Sequence, residues 1–588
     1  MYLPPDLCDY LKLMTISRAS GSDDRFAARV AVLGFCTTHY YSSVLKGIGK
    51  TTGFPLLIFE TPYNTVEQSL LDLNSELHKF KADFFVFVTA VQGIRNRLMA
   101  ADLANRYAAA EGEASRLACM VRRAAQMPGA TVLIHELVVP YERAWGNLTS
   151  TIDGSLQDAV RRANDHIRSV ARDLDNVYTI DCDHIASWVG KRLWFDERLW
   201  HTTKSFCHPE ALPHLAGQAM DIFRAVKGKG LKCIALDLDN TLWGGVIGDD
   251  GLEGIVLGET GDGEAYVRFQ VWLKDLASRG IILAVCSKND EDKAKEPFRK
   301  HPGMVLEELD IACFVANWTN KADNLRLVAS RLNIGIDSIV FLDDSLFERN
   351  LVRQHLPEVC VPEMPEEVAE YVPYLESLNL FEALQFSKED GSRSQFYRAN
   401  LLRDRELQNF TDVNDYLASL NMSASFCRFD AAHMPRISQL VLRTNQFNLT
   451  TIRHSVSELM RFSADENYFP FYAELEDRFG DNGLVSVVIG QRVEGRMVIV
   501  SWLMSCRVIS RCLEWFVLER LVEIAHGNKL TAIRGQYIPT PKNSLVANHY
   551  ETLGFRLLER LGDGSATWEL NVAAHVQHAY PIERKLQL

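Results

Sequence analysis

The 588-residue sequence has no apolar run near the ~18 residues that a membrane-spanning helix needs. The longest runs, around residues 84–88 and 281–285, have only strand length. Cysteine is sparse: twelve residues, without a CxxC pair or regular spacing, are too dilute for a disulfide framework or a zinc finger, so they read as thiols, most of them in the core. Positive charge is in deficit, with 63 Lys and Arg against 76 Asp and Glu and a net charge of -13. That is the wrong sign for wrapping a polyanion, which argues against a nucleic-acid partner. Internal repeats and low-complexity segments are missing too. The first residues carry Pro4, Pro5 and Asp6 where a secretory signal has a basic stretch and then an apolar core, so a cytoplasmic protein with no membrane contact is expected.

What is present is a globular composition, 47% hydrophobic and 24% charged, which excludes disordered and coiled-coil readings. The length predicts three or four domains. Short β-branched and aromatic runs alternate with amphipathic stretches through the first two thirds, as a parallel α/β sheet requires. Residues 29–34, 55–60, 83–90 and 130–136 read as strands, and 98–127 and 155–174 as helical segments. A Lys/Gly linker at 227–230 ends this first region. A second set of strands follows at 233–238, 281–287, 313–316 and 338–342, closed by a Pro/Glu-rich connection at 357–373. Helical segments over 382–420 lead to a last region that mixes helices with strands at 471–475, 485–489 and 497–503. The domains are therefore drawn at 1–226, 231–375, a helical connector at 376–420, and 421–588.

The second region holds the chemistry. Strand 234–236 runs into Asp237-Leu-Asp239-Asn-Thr241. In extended geometry the two carboxylates share one face at the carboxyl end of a buried strand, the usual place of an α/β active site. There they repel unless a proton or a cation lies between them, and Mg²⁺ suits a few hard oxygen ligands and a phosphate oxygen. An Asx-rich turn that merely ends a strand is the alternative for these residues taken alone. Three further elements follow in order: strand 281–285 runs into Cys286-Ser287, Lys321 follows the next strand, and strand 339–342 ends in Asp343-Asp344-Ser345.

Together these residues resemble the four-motif pattern of the haloacid-dehalogenase-like (HAD) phosphotransferases. The resemblance implies that Asp237 attacks phosphorus and that Asp239 acts as general acid and then base. It also implies that Ser287 and Lys321 hold the phosphoryl oxygens, and that Asp343 or Asp344 completes a Mg²⁺ site with Asp237 and Asp239. These roles suit phosphoryl transfer, which needs an in-line nucleophile and positive charge on the equatorial oxygens. Only about 40 residues separate Thr241 from the next strand, which predicts a capless site open to a bulky or macromolecule-borne substrate.

A longer match follows. Residues 243–251, 285–289, 444–450 and 477–483, with Cys506-Arg507 and Tyr537-Ile-Pro-Thr540, resemble the FkbH-like family over most of residues 190–560. That likeness implies release of phosphate from a phosphorylated three-carbon acyl donor such as 1,3-bisphosphoglycerate, and loading of the glyceryl unit onto a holo acyl carrier protein for polyketide or related biosynthesis. The expected fold class is α/β: a Rossmann-like capless HAD domain between an N-terminal SGNH-like α/β domain and a C-terminal GNAT-like α+β domain.

In the SGNH-like part, Cys36 follows the first strand and His208 stands in the late histidine block, with Ser205 where an acid is expected. A histidine-activated Cys36 thiolate could hold an acyl group, and Cys286 and Cys506 are further thiol candidates. In the GNAT-like part, Asn543, Tyr550 and Gly554-Phe555 resemble the late asparagine and Tyr-x-x-x-Gly-Phe pattern. Ser510 and Cys512 replace glycines of the pyrophosphate loop, and Arg507 and Arg511 would give charge to a phosphopantetheine arm.

Overall fold

The structure, a computed structural model, describes residues 9–19, 26–102, 105–384, 409–505, 508–540 and 542–585, together with 399, 402, 403, 406 and 407. The chain divides into two compact units, Met1–Ala225 and Val226–Leu588.

In the first unit five parallel strands, β1 (Ala28–Gly34), β2 (Leu56–Glu60), β3 (Phe84–Val88), β4 (Thr131–His135) and β5 (Val177–Ile180), stand in the order β2-β1-β3-β4-β5 with helices between them. Every residue of β3 is buried, as a central strand covered on both faces demands. Ser155 caps the helix Leu156–Asp173 by accepting from the Asp158 amide, and Val160, Ala163, Ile167 and Val170 bury one stripe of it. The segment expected as one helix over 98–127 is two, Val91–Ala100 and Arg106–Ala125. β5 was not anticipated: it has four residues, and Tyr178 and Thr179 are only half-buried, so its apolar signal is short and diluted.

The second unit carries two sheets. β6 (Cys233–Leu236), β7 (Ile282–Ser287), β8 (Ile311–Ala316) and β9 (Ile339–Leu342) are parallel in the order β8-β7-β6-β9. β6 at the centre has a chain neighbour on each edge and is buried throughout. Between Thr241 and β7 lie only the helices Ile247–Gly254 and Asp262–Ser278, so nothing forms a cap domain there. The residues expected as a linker are tied down, because Asn445 donates to the Gly228 carbonyl at 2.9 Å.

The second sheet has eight strands: β10 (Met422–Arg428), β11 (Tyr468–Asp477), β12 (Gly480–Val493), β13 (Arg496–Met504), β14 (Ala532–Tyr537), β15 (Arg556–Arg560), β16 (Ala566–Asn571) and β17 (Ile582–Arg584). Their order is β15-β16-β14-β13-β12-β11-β10-β17. β10 to β13 pair antiparallel, β13 and β14 are parallel, and the helix Leu513–Gly527 joins them, a GNAT-like α+β layout. β12 and β13 are joined by Glu494 and Gly495, both at positive φ (48° and 74°), as a two-residue hairpin turn requires. The strands run longer than their sequence signals because hairpin pairing carries them past the apolar run. Within the expected connector the helix Val413–Ser419 is described; most of 385–408 lies outside the described residues. Among the described residues no helix is long and apolar enough to cross a membrane.

Candidate active site

β6 and β9 are neighbours in register, Leu236 against Leu342, and the Asp237 amide donates to the Leu342 carbonyl at 2.9 Å. The residues that follow the two strands, Asp237 and Asp343, are thereby placed side by side. Lys321 opens the helix Lys321–Arg331, whose cap Asn320 accepts from the Asp323 amide. From there its ammonium reaches Asp237 Oδ1 at 2.8 Å and Asp343 Oδ2 at 2.5 Å. Lys321 is 2% exposed and Asp343 0%, so the contact lies in a low-dielectric site where unpaired charge is costly.

The loop after β9 is held from three sides. The Ser345 amide donates to Asp343 Oδ1 at 2.8 Å, and the Arg349 guanidinium donates to the carbonyls of Asp343 and Asp344 at 2.8 and 2.6 Å. The Thr241 hydroxyl lies 3.2 Å from Asp344 Oδ1 and accepts from the Asp344 amide. Asp237, Asp343 and Asp344 each place one carboxylate oxygen within 4.8 Å of the others. Burial and the Asp237 charge push Asp343 up to about 7 although Lys321 pulls against them, and the same two causes raise Asp344. Burial pulls Lys321 down, but the two carboxylates more than offset it and its value rises.

Asp239 stands elsewhere. β6 ends at Leu236 and Asn240 adopts φ 55°, so strand alternation no longer governs residue 239 and its side chain leaves the metal-ligand cluster assigned to it. Its Oδ1 accepts from Trp243 Nε1 (3.1 Å) and the Ile247 amide (2.9 Å), and Oδ2 accepts from Asn289 Nδ2 (3.1 Å). Burial raises its pKa, Asp237 adds to the rise, and the three donors oppose it. Ser287 ends β7 and is buried, its carbonyl accepting from the Asn317 amide. Cys286 belongs to the apolar core behind the site; its thiol lies 3.7 Å from the Lys321 carbonyl and burial pushes its pKa up. Thr241, Trp243 and Asn289 lie inside the quoted motifs but had no role there, and Arg349 lies outside them; all four are partners of carboxylates or loop carbonyls.

The remaining expected residues are not assembled into sites. Cys36 is buried with its thiol 3.9 Å from the Val88 carbonyl, and burial raises its pKa strongly, against a reactive thiolate. His208 caps the short helix Pro209–Ala211 and accepts from the Glu210 amide through Nδ1. Cys36 and His208 thus each have a structural partner, the Val88 carbonyl and the Glu210 amide. Arg511 pairs with the fully buried Asp477 at 3.1 Å, a carboxylate that Arg403 also holds at 2.6 Å, so its charge is engaged inside the domain and not turned to a ligand phosphate. The Asn543 amide is satisfied internally by Thr540, Tyr537, Asn448 and Ile538. Tyr550 fills the core over Gly535, where a Cβ would sit 2.2 Å from its ring. Cys506 and Arg507 lie outside the described residues.

A capless parallel sheet with Asp237, Lys321 and the Asp343-Asp344 pair at its carboxyl ends is the framework of a HAD-type phosphatase. The N-terminal part of the Bacteroides fragilis protein BF1531, which contains a phosphatase domain and was crystallised with Mg, is 36% identical; the match covers 64% of this chain and 99% of that one, with a TM-score of 0.60. The FkbH N-terminal domain family matches residues 29–224. The chain belongs to the FkbH-like family. Two acetyltransferases are also similar: the Escherichia coli ribosomal-protein-S18-alanine N-acetyltransferase (14% identity, 27% of this chain and 99% of that one, TM-score 0.21) and the GNAT domain of S. lividans PAT (13%, 25% and 89%, 0.21). No curated protein matches the chain.

Proposed function

We propose that the protein is a Mg²⁺-dependent phosphatase and acyl transferase of the cytoplasm. It takes a phosphorylated three-carbon acyl donor such as 1,3-bisphosphoglycerate, removes the alkyl phosphate by hydrolysis, and loads the glyceryl unit onto the thiol of a holo acyl carrier protein as the acyl phosphate leaves as inorganic phosphate. The acid cluster carries the first half of this reading. Three carboxylates gather at one site where the Lys321 ammonium contacts only Asp237 and Asp343, and burial together with the Asp237 charge raises Asp343, so negative charge there is incompletely compensated. A divalent cation that prefers oxygen ligands matches the deficit, and Asp237, Asp343 and Asp344 would hold it. When bound, Mg²⁺ neutralises charge on the transferring phosphoryl group. The likeness to a domain crystallised with Mg supports the same metal.

In this reading an Asp237 oxygen attacks phosphorus as the bond to the leaving oxygen breaks, and Asp239 delivers a proton to that oxygen. The Asp239 carboxylate then takes a proton from the water that hydrolyses the aspartyl phosphate, which restores Asp237 and yields inorganic phosphate. Lys321 and the Ser287 hydroxyl hold the phosphoryl oxygens. Burial that lifts Asp239 above the ordinary carboxylate range favours a group that must carry the proton between the two steps.

The transfer half rests on the family likeness and on the open site. Trp318, on the loop before Lys321, and Leu346 and Phe347, at the start of the helix after Asp343-Asp344, are 78%, 57% and 69% exposed and leave room for a macromolecular partner. Incubation with 1,3-bisphosphoglycerate, Mg²⁺ and holo carrier protein, read by intact-protein mass and by phosphate release, tests both halves. A carrier mass gain matching one glyceryl group is expected. Phosphate release that ignores the carrier and leaves its mass unchanged would reduce the function to a small-metabolite phosphatase.

A further inference from the structure

In the last domain β13 and β14 run parallel but pair only at Met497 with Ile533 and Val498 with Arg534. Both strands continue, β13 to Met504 and β14 to Tyr537. Strands that part in this way expose backbone donors and acceptors along the gap, and an extended amide-bearing guest can pair with them as an added strand. A phosphopantetheine arm, free in coenzyme A or borne on a carrier protein, is such a guest.

In this chain the gap already has an occupant. The Leu449 amide donates to the Trp502 carbonyl at 3.2 Å, the Met504 amide donates to the Phe447 carbonyl at 3.0 Å, and Asn448 sits antiparallel to Leu503. On the far side the Ile538 amide donates to the Leu449 carbonyl at 2.9 Å. Residues 447–449 therefore bridge the end of β13 to the chain just past β14. Side chains fasten the segment: Asn543 Nδ2 donates to the Asn448 carbonyl (3.0 Å), the Thr450 hydroxyl donates to the Val500 carbonyl (3.2 Å), and Asn448 Oδ1 accepts from the Thr451 amide (2.8 Å). Phe447 and Leu449 are part of the domain's apolar core, at 5% and 0% exposure, and Asn448 and Asn543 are both fully buried.

We infer that the chain's own segment 447–449 closes the gap between β13 and β14 as a permanent part of the sheet, so that this domain takes neither coenzyme A nor a carrier-borne phosphopantetheine arm there. A guest would have to strip two core side chains and the bonds just named, leaving buried polar groups without partners. The segment belongs to the Thr444–Thr450 stretch that the sequence singles out, and its task is self-complementation of the sheet. Acyl transfer onto a carrier thiol then has no seat in this gap.

The test is amide hydrogen exchange by mass spectrometry on the full-length protein with Mg²⁺, alone and with coenzyme A or pantetheine at millimolar concentration. Slow exchange at Leu449, Met504 and Ile538, unchanged by either compound, is expected. Asn543→Ala, which removes the bond to the Asn448 carbonyl together with those to Ile538, Thr540 and Tyr537, should speed exchange at Leu449 and Ile538 by about tenfold or more, tenfold being the effect of one net hydrogen bond. Fast exchange at these amides in the unliganded wild type, or a saturable change in them on adding coenzyme A or pantetheine, would overturn the inference. Phosphate release measured on the same samples reports on Asp237 separately, so failure of the phosphatase reading and failure of this one are distinct.

Discussion

At the scale of single residues the decisive contrast lies between Asp237 and Asp239, two positions apart in sequence and committed to different partners. Asp237 meets Lys321 and the acids after β9, whereas Asp239 is held by Trp243, Asn289 and the Ile247 amide. Asp237→Asn preserves shape but removes the attacking charge, and phosphate release should fall by several orders of magnitude, as expected for loss of a covalent nucleophile. Retention of more than a few per cent of wild-type release would reject the assignment. Asp239→Asn should cut release from an alkyl phosphate by about 10² to 10⁴-fold, because the poor leaving oxygen needs the proton. Phosphorylation of Asp237 by acetyl phosphate, whose leaving group is good, should scarcely change, and the aspartyl phosphate should persist in the intact mass. Equal losses with both donors would mean that Asp239 only supports the loop.

Elements place these residues. The four strand ends converge because β6, β7, β8 and β9 are parallel and in near register, so loops remote in sequence open on one edge of one sheet. Arg349, on the helix Leu346–His355, fastens the loop after β9 by two carbonyl contacts while its other arm reaches Glu363 at 3.2 Å. Arg349→Met should weaken Mg²⁺ affinity by about 10 to 100-fold, the usual effect of losing a group that orients metal ligands. A Mg²⁺ titration of phosphate release reads this directly, and an unchanged half-saturation point would show that the loop holds its shape without Arg349. In the last domain Arg511→Met removes one of two guanidinium partners of a fully buried carboxylate. It should lower stability to urea by about 3 kcal/mol, at the low end for a broken buried pair because Arg403 remains. A variant as stable as wild type would contradict the structural role.

For the molecule as a whole, stability is linked to the metal and to pH. The folded value of Asp343, about 7, lies above the ordinary carboxylate value of about 3.9, so between these limits the folded state keeps a proton that the unfolded chain has lost. The contribution of this group to stability therefore falls as pH rises from about 4 to 7 when no metal is bound. Mg²⁺ binds the ionised acids in the folded state, so it should raise the thermal midpoint of the unit Val226–Leu588 at pH 7.5 and raise it much less at pH 5. Calorimetry with and without Mg²⁺ at both values measures this, and equal shifts would place the metal away from Asp343. With two compact units the trace is read as separate transitions and not as one.

The parallel strands of the HAD-type sheet, and the order in which Asp237, Ser287, Lys321 and Asp343 leave it, are legible in the residue pattern of the chain. Strands buried on both faces must be short apolar runs, and their polar ends stand out against them; Phe84–Val88 and Ile282–Ser287 are legible for that reason. The GNAT-like region was legible only in its long hairpins, since β10, β14 and β17 depend on neighbours distant in the chain for pairing, and β15, although it forms a hairpin with β16, is exposed along its whole length. Tertiary structure alone decided where side chains at turns point: Asp239 away from the acids, Cys36 toward the sheet, Arg511 onto Asp477. It also decided that residues 447–449 complete the sheet through bonds to residues more than 50 positions further along the chain. Composition and spacing report which face of a strand or helix is apolar, but a hydrogen bond across such separations is set by packing, and packing is a property of the folded chain.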